Sequence, residues 1–147
     1  MTSMAPPART VSQTTSVEIR VLVYDRSNLM RAALSQFIDS QPDLVICGTT
    51  GVPERAVRDT VRLDPDVVVL GLSFERPILL LRLVADIRAA HPGARILVLS
   101  LTDWDPSARG VREAGGLGCV GKYESADRVL AGIRSVAVGH PYGVPVG

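Results

Sequence analysis

Five times between residues 17 and 139, a short run of β-branched and apolar residues gives way to a longer stretch whose apolar positions recur three and four apart. Such alternation marks successive βα units around a parallel sheet. Residues 17–24, 44–49, 66–72, 94–101 and Gly118–Gly121 are each short, apolar and bounded by Asp, Gly, Pro or Ser, so they are expected as strands. Their cores are continuously apolar, which suits strands covered by helices on both faces.

The intervening segments predict five helices. Leu29, Ala33 and Phe37, with Met30, Leu34 and Ile38, give residues 27–40 an amphipathic face, and Ser27 stands where an N-cap belongs. Pro53–Leu63 and Pro77–Ala90 both open on a proline suited to a first turn. The third is expected to stop at His91-Pro92-Gly93, the fourth to run from an Asp105 cap to Gly115-Gly116, and the fifth to span 125–138.

Right-handed crossovers restrict five such units to an open, doubly wound α/β domain, and the length fits strand order 2-1-3-4-5. In that order Cys47 and Cys119 fall on opposite edge strands, four spacings of about 4.8 Å apart and well beyond the roughly 7 Å span of a disulfide. Both are expected as reduced, core-packing thiols.

Composition narrows the function classes. Sixteen basic against fifteen acidic side chains leave a net charge of +1, with no basic stripe of the kind a nucleic-acid surface needs. No apolar run approaches the roughly 20 residues that span a bilayer. Residues 1–17 are rich in Ser, Thr, Ala and Pro without an apolar export core, and are expected as a disordered leader. The folded body is expected over 18–139, with 140–147 as the start of a linker or tail, in a cytoplasmic protein.

In an open α/β sheet the site lies at the carboxyl ends of the strands, near the switch point. Here those ends are Tyr24-Asp25-Arg26, Leu70-Gly71-Leu72, Leu99-Ser100-Leu101 and Val120-Gly121-Lys122. From about Ile19 to Tyr142 the order and spacing of these segments resemble a response-regulator receiver domain of the NarL/LuxR type. Arg20-Val21-Leu22-Val23-Tyr24-Asp25 with Leu29-Met30-Arg31 is similar to that family's first strand and helix. Asp64-Pro65-Asp66-Val67-Val68-Val69-Leu70 is similar to its third strand, and Ala94-Arg95-Ile96-Leu97-Val98-Leu99-Ser100 to its fourth. Ala114-Gly115-Gly116-Leu117-Gly118 resembles the approach to the family's pocket lysine, here Lys122.

The resemblance implies an aspartate phosphorylated at the end of the third strand, with Mg²⁺ held by that carboxylate and an acidic pair after the first strand. Asp25 matches the first acid of the pair. Arg26 replaces the second, and Gly71 stands where the phosphoacceptor belongs. Glycine has no side chain to phosphorylate, and a guanidinium offers no lone pair to a metal. With one carboxylate against two cations, Asp25, Arg26 and Lys122 repel a divalent cation. Ser100 and Lys122 are the surviving switch residues, while the aromatic position three before the lysine is Cys119. No metal, cofactor or catalytic residue is expected.

Asp25 has a plain salt-bridge reading with Lys122, and Arg26 one with a nearby acid; Arg26 standing in for the missing cation is the sharper alternative. Ser100 also suits a turn cap. Trp104, the sole tryptophan, lies before the fourth helix and is a candidate partner contact. The helix at Pro77–Ala90 carries Ile78, Leu79, Leu80, Leu81, Leu83, Val84 and Ile87, more than one apolar arc.

Together these features predict a phosphorylation-independent pseudo-receiver, the regulatory domain of an atypical NarL/LuxR-type transcription regulator. It would act by homodimerisation or contact with another regulator. DNA would be reached only through a helix-turn-helix domain outside these residues, and no membrane contact is expected. A reading from a different class is an anionic-ligand sensor in which Gly71 leaves room and Arg26 with Lys122 holds the ligand. A flavodoxin-like enzyme fits poorly, since Asp25-Arg26-Ser27-Asn28 stands where a glycine-rich phosphate loop would be.

Overall fold

The computed structural model describes residues 17–101 and 107–145. Five parallel strands, β1 (Ile19–Asp25), β2 (Leu44–Thr50), β3 (Val67–Gly71), β4 (Ile96–Ser100) and β5 (Gly118–Gly121), form one sheet in the order β2-β1-β3-β4-β5. This is the doubly wound topology expected from the sequence. The helices are α1 (Asn28–Asp39), α2 (Pro53–Leu63), α3 (Pro77–Ala90), α4 (Ala108–Ala114) and α5 (Ala126–Ala137).

Alternation along the strands sorts the core into two layers. Leu22, Tyr24, Val68, Leu70, Ile96 and Val98 face one side, where they pack with α2, α3 and α4 through Ala56, Leu80, Leu83, Val84, Ile87 and Val111. Val21, Val23, Val67, Val69, Leu97 and Leu99 face the other, against Leu34 and Ile38 of α1 and Ile133 and Val136 of α5. With both faces covered, the middles of β1, β3 and β4 are buried on both sides, which is why they read as unbroken apolar runs.

Local chemistry sets the helix ends. The Ser27 hydroxyl accepts from the Met30 amide at 3.2 Å, and Ser125 caps α5 in the same way through the Arg128 amide. The expected cap of the fourth helix, Asp105, lies outside the described residues. Instead the helix begins at Ala108, with the Ser107 hydroxyl accepting from Gly110 N at 2.9 Å. Ser107 is the cap because α4 starts directly after it and its hydroxyl meets the amide three positions on. Gly115 at φ 111° and Gly139 at φ 86° supply left-handed turns where α4 and α5 stop.

Both cysteines are free thiols packed with the core, Cys47 half-buried on β2 and Cys119 buried on β5. Burial pushes both thiols up from their ordinary value. The segment after α5 returns to the β5 edge, where Tyr142 N donates to Leu117 O and Cys119 N to Tyr142 O. Arg128 lies 5.8 Å from the Tyr142 ring centroid, holding this segment down. No described helix is long and apolar enough to cross a membrane.

Candidate functional site

Parallel register brings the site together. Asp25 and Gly71 end β1 and β3 as direct partners, and Gly71 pairs in turn with Leu99. Lys122 follows Gly121, the partner of Ser100, and its amide donates to Ser100 O. Asp25, Gly71, Ser100 and Lys122 therefore meet at the carboxyl end of the sheet, as the sequence predicted.

At the centre is a buried ion pair. Lys122 Nζ stands 2.7 Å from Asp25 Oδ2, with the two side chains 1% and 0% exposed. The approach lies outside hydrogen-bonding angles, so Oδ2 gains charge attraction without a hydrogen bond. The ammonium donates to Leu72 O at 2.6 Å and to Ser73 Oγ at 2.7 Å. Asp25 Oδ1 accepts from Ser27 N at 2.9 Å and from the Ser73 hydroxyl at 2.6 Å. Ser73 thus bridges the two charged groups, donating to one and accepting from the other. An ion pair withdrawn from water is tolerated only when such additional hydrogen bonds replace the lost solvent.

Gly71 makes this closure possible. A Cβ built on it would collide with Asp25 Oδ2 and lie 3.2 Å from the carboxyl carbon. The Asp25 carboxylate therefore occupies the space that any side chain at position 71 would enter.

Arg26 goes elsewhere. Its side chain is exposed and makes no ion pair among the described residues. It lines a cleft of about 220 Å³ together with Tyr24, Pro53, Glu75, Leu79 and Arg82. The cation facing Asp25 is Lys122, and the structure does not join Arg26 and Lys122 in a single pocket. Ser100 is 2% exposed, and its side chain partly offsets the upward push of burial on the Cys119 thiol. Trp104 lies outside the described residues.

Sequence reasoning missed Ser73 and Glu75. The Glu75 carboxylate accepts from the Tyr24 hydroxyl at 2.7 Å and from Ser73 N at 2.9 Å. Burial, reinforced by that carboxylate, holds the Tyr24 phenol well above its ordinary value. A polar residue two positions after the strand-end glycine was the available signal for Ser73, since a loop there must pass over the crevice.

No family model matches the chain. The transcriptional regulatory protein LiaR of Bacillus subtilis (strain 168) is 30% identical over 123 residues, which are 84% of this chain and 58% of LiaR. The chain thus spans a little over half the length of that regulator. Among solved structures, the response regulator domain of Thermotoga maritima CheB is 28% identical with a TM-score of 0.71, covering 84% of this chain and 99% of that one. The two-component response regulator of the LuxR family from Aurantimonas sp. SI85-9A1 shares the fold at a TM-score of 0.74 and 21% identity, with 85% and 89% covered. The fold is CheY-like, and in sequence the chain is similar to response-regulator receiver domains, with LuxR- and NarL-type regulators among its neighbours.

Proposed function

We propose that this receiver works without phosphorylation, as the regulatory domain of an atypical LuxR/NarL-type transcription regulator that acts by homodimerisation or by contact with another regulator. The observation that carries the reading is the placement of the Asp25 carboxylate where a side chain at Gly71 would stand, paired there with Lys122. At the phosphoacceptor position of the family, glycine offers no oxygen to a phosphoryl group.

Nor does the donor set suit the Mg²⁺ of that family. A hard dication needs several free oxygen ligands. Asp25 is the sole carboxylate of the pair, its oxygens are engaged by Ser27, Ser73 and Lys122, and Arg26 offers none. Catalysis is not part of this reading.

The test is intact-mass measurement after incubation with acetyl phosphate and Mg²⁺, with an aspartate-bearing receiver as the positive control. The mass of this chain should stay unchanged while the control gains a phosphoryl group. A phosphoryl adduct on this chain would overturn the proposal.

A further inference from the structure

After α5 the chain turns back onto the domain. Gly139 reverses it at φ 86°, and His140 N donates to Ser135 O at 2.9 Å. Residues 140–144 then run along the outer edge of β5, where Tyr142 N donates to Leu117 O and Cys119 N donates to Tyr142 O. Tyr142 packs with the α1–α5 layer and Val144, 9% exposed, with the α2–α4 layer. The segment therefore straps the sheet edge from one face to the other. Gly143 permits the crossing, since at φ 70° it lies in the left-handed region and a Cβ built on it would run into Cys119 O. An edge segment held by so few bonds opens locally at lower free energy than the strands it covers.

What holds the Tyr142 ring leads back to the crevice. Arg128 lies over the ring, and its Nε stands 2.8 Å from Glu124 Oε1. Glu124 Oε2 accepts from Gly121 N at 2.7 Å, while Glu124 N donates to Gly121 O at 3.0 Å. Residues 121–124 are thus one closed turn with Lys122 inside it. That turn sends the ammonium inward to Asp25 and the Glu124 carboxylate outward to Arg128. With Lys122 Nζ fixed by Asp25, Leu72 O and Ser73 Oγ, the turn is anchored from within, and its anchored position aims Glu124.

We infer that residues 140–144 form a strap that opens as a separate element, latched by Arg128, and that the closed Asp25–Lys122 pair keeps the latch engaged through the 121–124 turn. The coupling has a physical carrier, because one turn holds both charged groups. Loss of the pair frees the turn, Glu124 loses its aim, and the strap uncovers the β5 edge more often. The inference goes beyond the phosphorylation-independent reading, since it concerns what the closed crevice holds in place rather than what position 71 can accept.

Amide hydrogen exchange read by NMR on the full chain tests it, with each variant checked for native circular dichroism. In the unaltered chain the Tyr142 amide should exchange faster than the amides of β1 and β3, which open with the whole domain. Arg128→Gln and Glu124→Gln should each speed it roughly three-fold or more. Lys122→Met should do the same, beyond the rate that whole-domain opening, read at the β1 and β3 amides, accounts for. Arg134→Gln, which breaks the ion pair with Asp43 on the same helix, should leave the Tyr142 rate unchanged. A Tyr142 amide as slow as those of β1 and β3 would mean that the strap is no separate element, and a Lys122→Met rate explained by whole-domain opening alone would disconnect it from the crevice. Either result overturns the inference, as would equal acceleration in Arg134→Gln. None of these outcomes bears on adduct formation with acetyl phosphate, so failure of the strap is distinguishable from failure of the phosphorylation-independent reading.

Discussion

A charge withdrawn from water depends on what replaces the water, and for Asp25 the replacement is Lys122 with two hydrogen-bond donors. Lys122→Met should therefore leave an uncompensated buried carboxylate and lower stability by about 3–5 kcal/mol, read from urea unfolding midpoints. Asp25→Asn combined with Lys122→Met removes both charges and should recover more than half of that loss. Equal destabilisation in the single and double variants would mean that the pair contributes packing rather than charge compensation. Gly71→Asp bears on the same space from the other side. The new side chain must displace Asp25 Oδ2 and bring a second carboxylate beside it, so we expect a loss of about 1–3 kcal/mol. We also expect no phosphoryl adduct from acetyl phosphate, because Arg26 still stands at the position of the second acid. An adduct on this variant would show that the crevice reopens readily and would refute the tight closure described here.

At the level of elements, α2 and α3 have the bounds the sequence predicted, because Pro53 and Pro77 fix their first turns and the following loops cannot continue them. Strand order was legible for a similar reason, since unbroken apolar runs and right-handed crossovers leave few alternatives. The start of α4 was not legible, because Asp105 and Ser107 are both good caps and only the fold decides between them. Arg26 was misplaced for a different reason: adjacency in sequence to Asp25 does not put two side chains into one crevice when successive strand-end residues point opposite ways. Long-range pairing also escaped the sequence. Arg134 on α5 donates to both oxygens of Asp43 in the α1–β2 loop, at 2.8 and 2.9 Å, across ninety-one positions. The guanidinium hydrogen bonds hold the Asp43 carboxyl below its ordinary value. A carboxyl lowered in the folded state contributes stability above its unfolded pKa, and that contribution fades as pH falls through the folded one. Both side chains are about two-fifths exposed, so the coupling in a double-mutant cycle with Asp43→Asn and Arg134→Gln should be at most about 1 kcal/mol at neutral pH. It should vanish in strong acid; a coupling that persisted there would show that the contact is not ionic.

For the molecule as a whole, the closed crevice changes what the fold responds to. Both faces of the sheet are filled by helices, and its switch point is filled by Asp25, Lys122 and Ser73. Any ligand that binds the folded state alone stabilises it by mass action, about 1.4 kcal/mol at ten times its dissociation constant. For a domain of this size such a gain raises the melting temperature by a few degrees. A receiver with an open acidic pocket should show that rise with Mg²⁺. Here the carboxylate that would receive the ion already faces an ammonium, and a dication could enter only by expelling Lys122 from a site where its side chain is 1% exposed. Millimolar Mg²⁺, compared with Na⁺ at matched ionic strength, should therefore leave the melting temperature unchanged. Lys122→Met should likewise show no Mg²⁺-specific rise, since Asp25 alone, with Oδ1 held by Ser27 and Ser73, does not supply the several oxygen ligands a hard dication needs. A Mg²⁺-specific rise in the unaltered chain would mean that the ammonium yields to the metal and that the ion pair is not the closure it is taken to be.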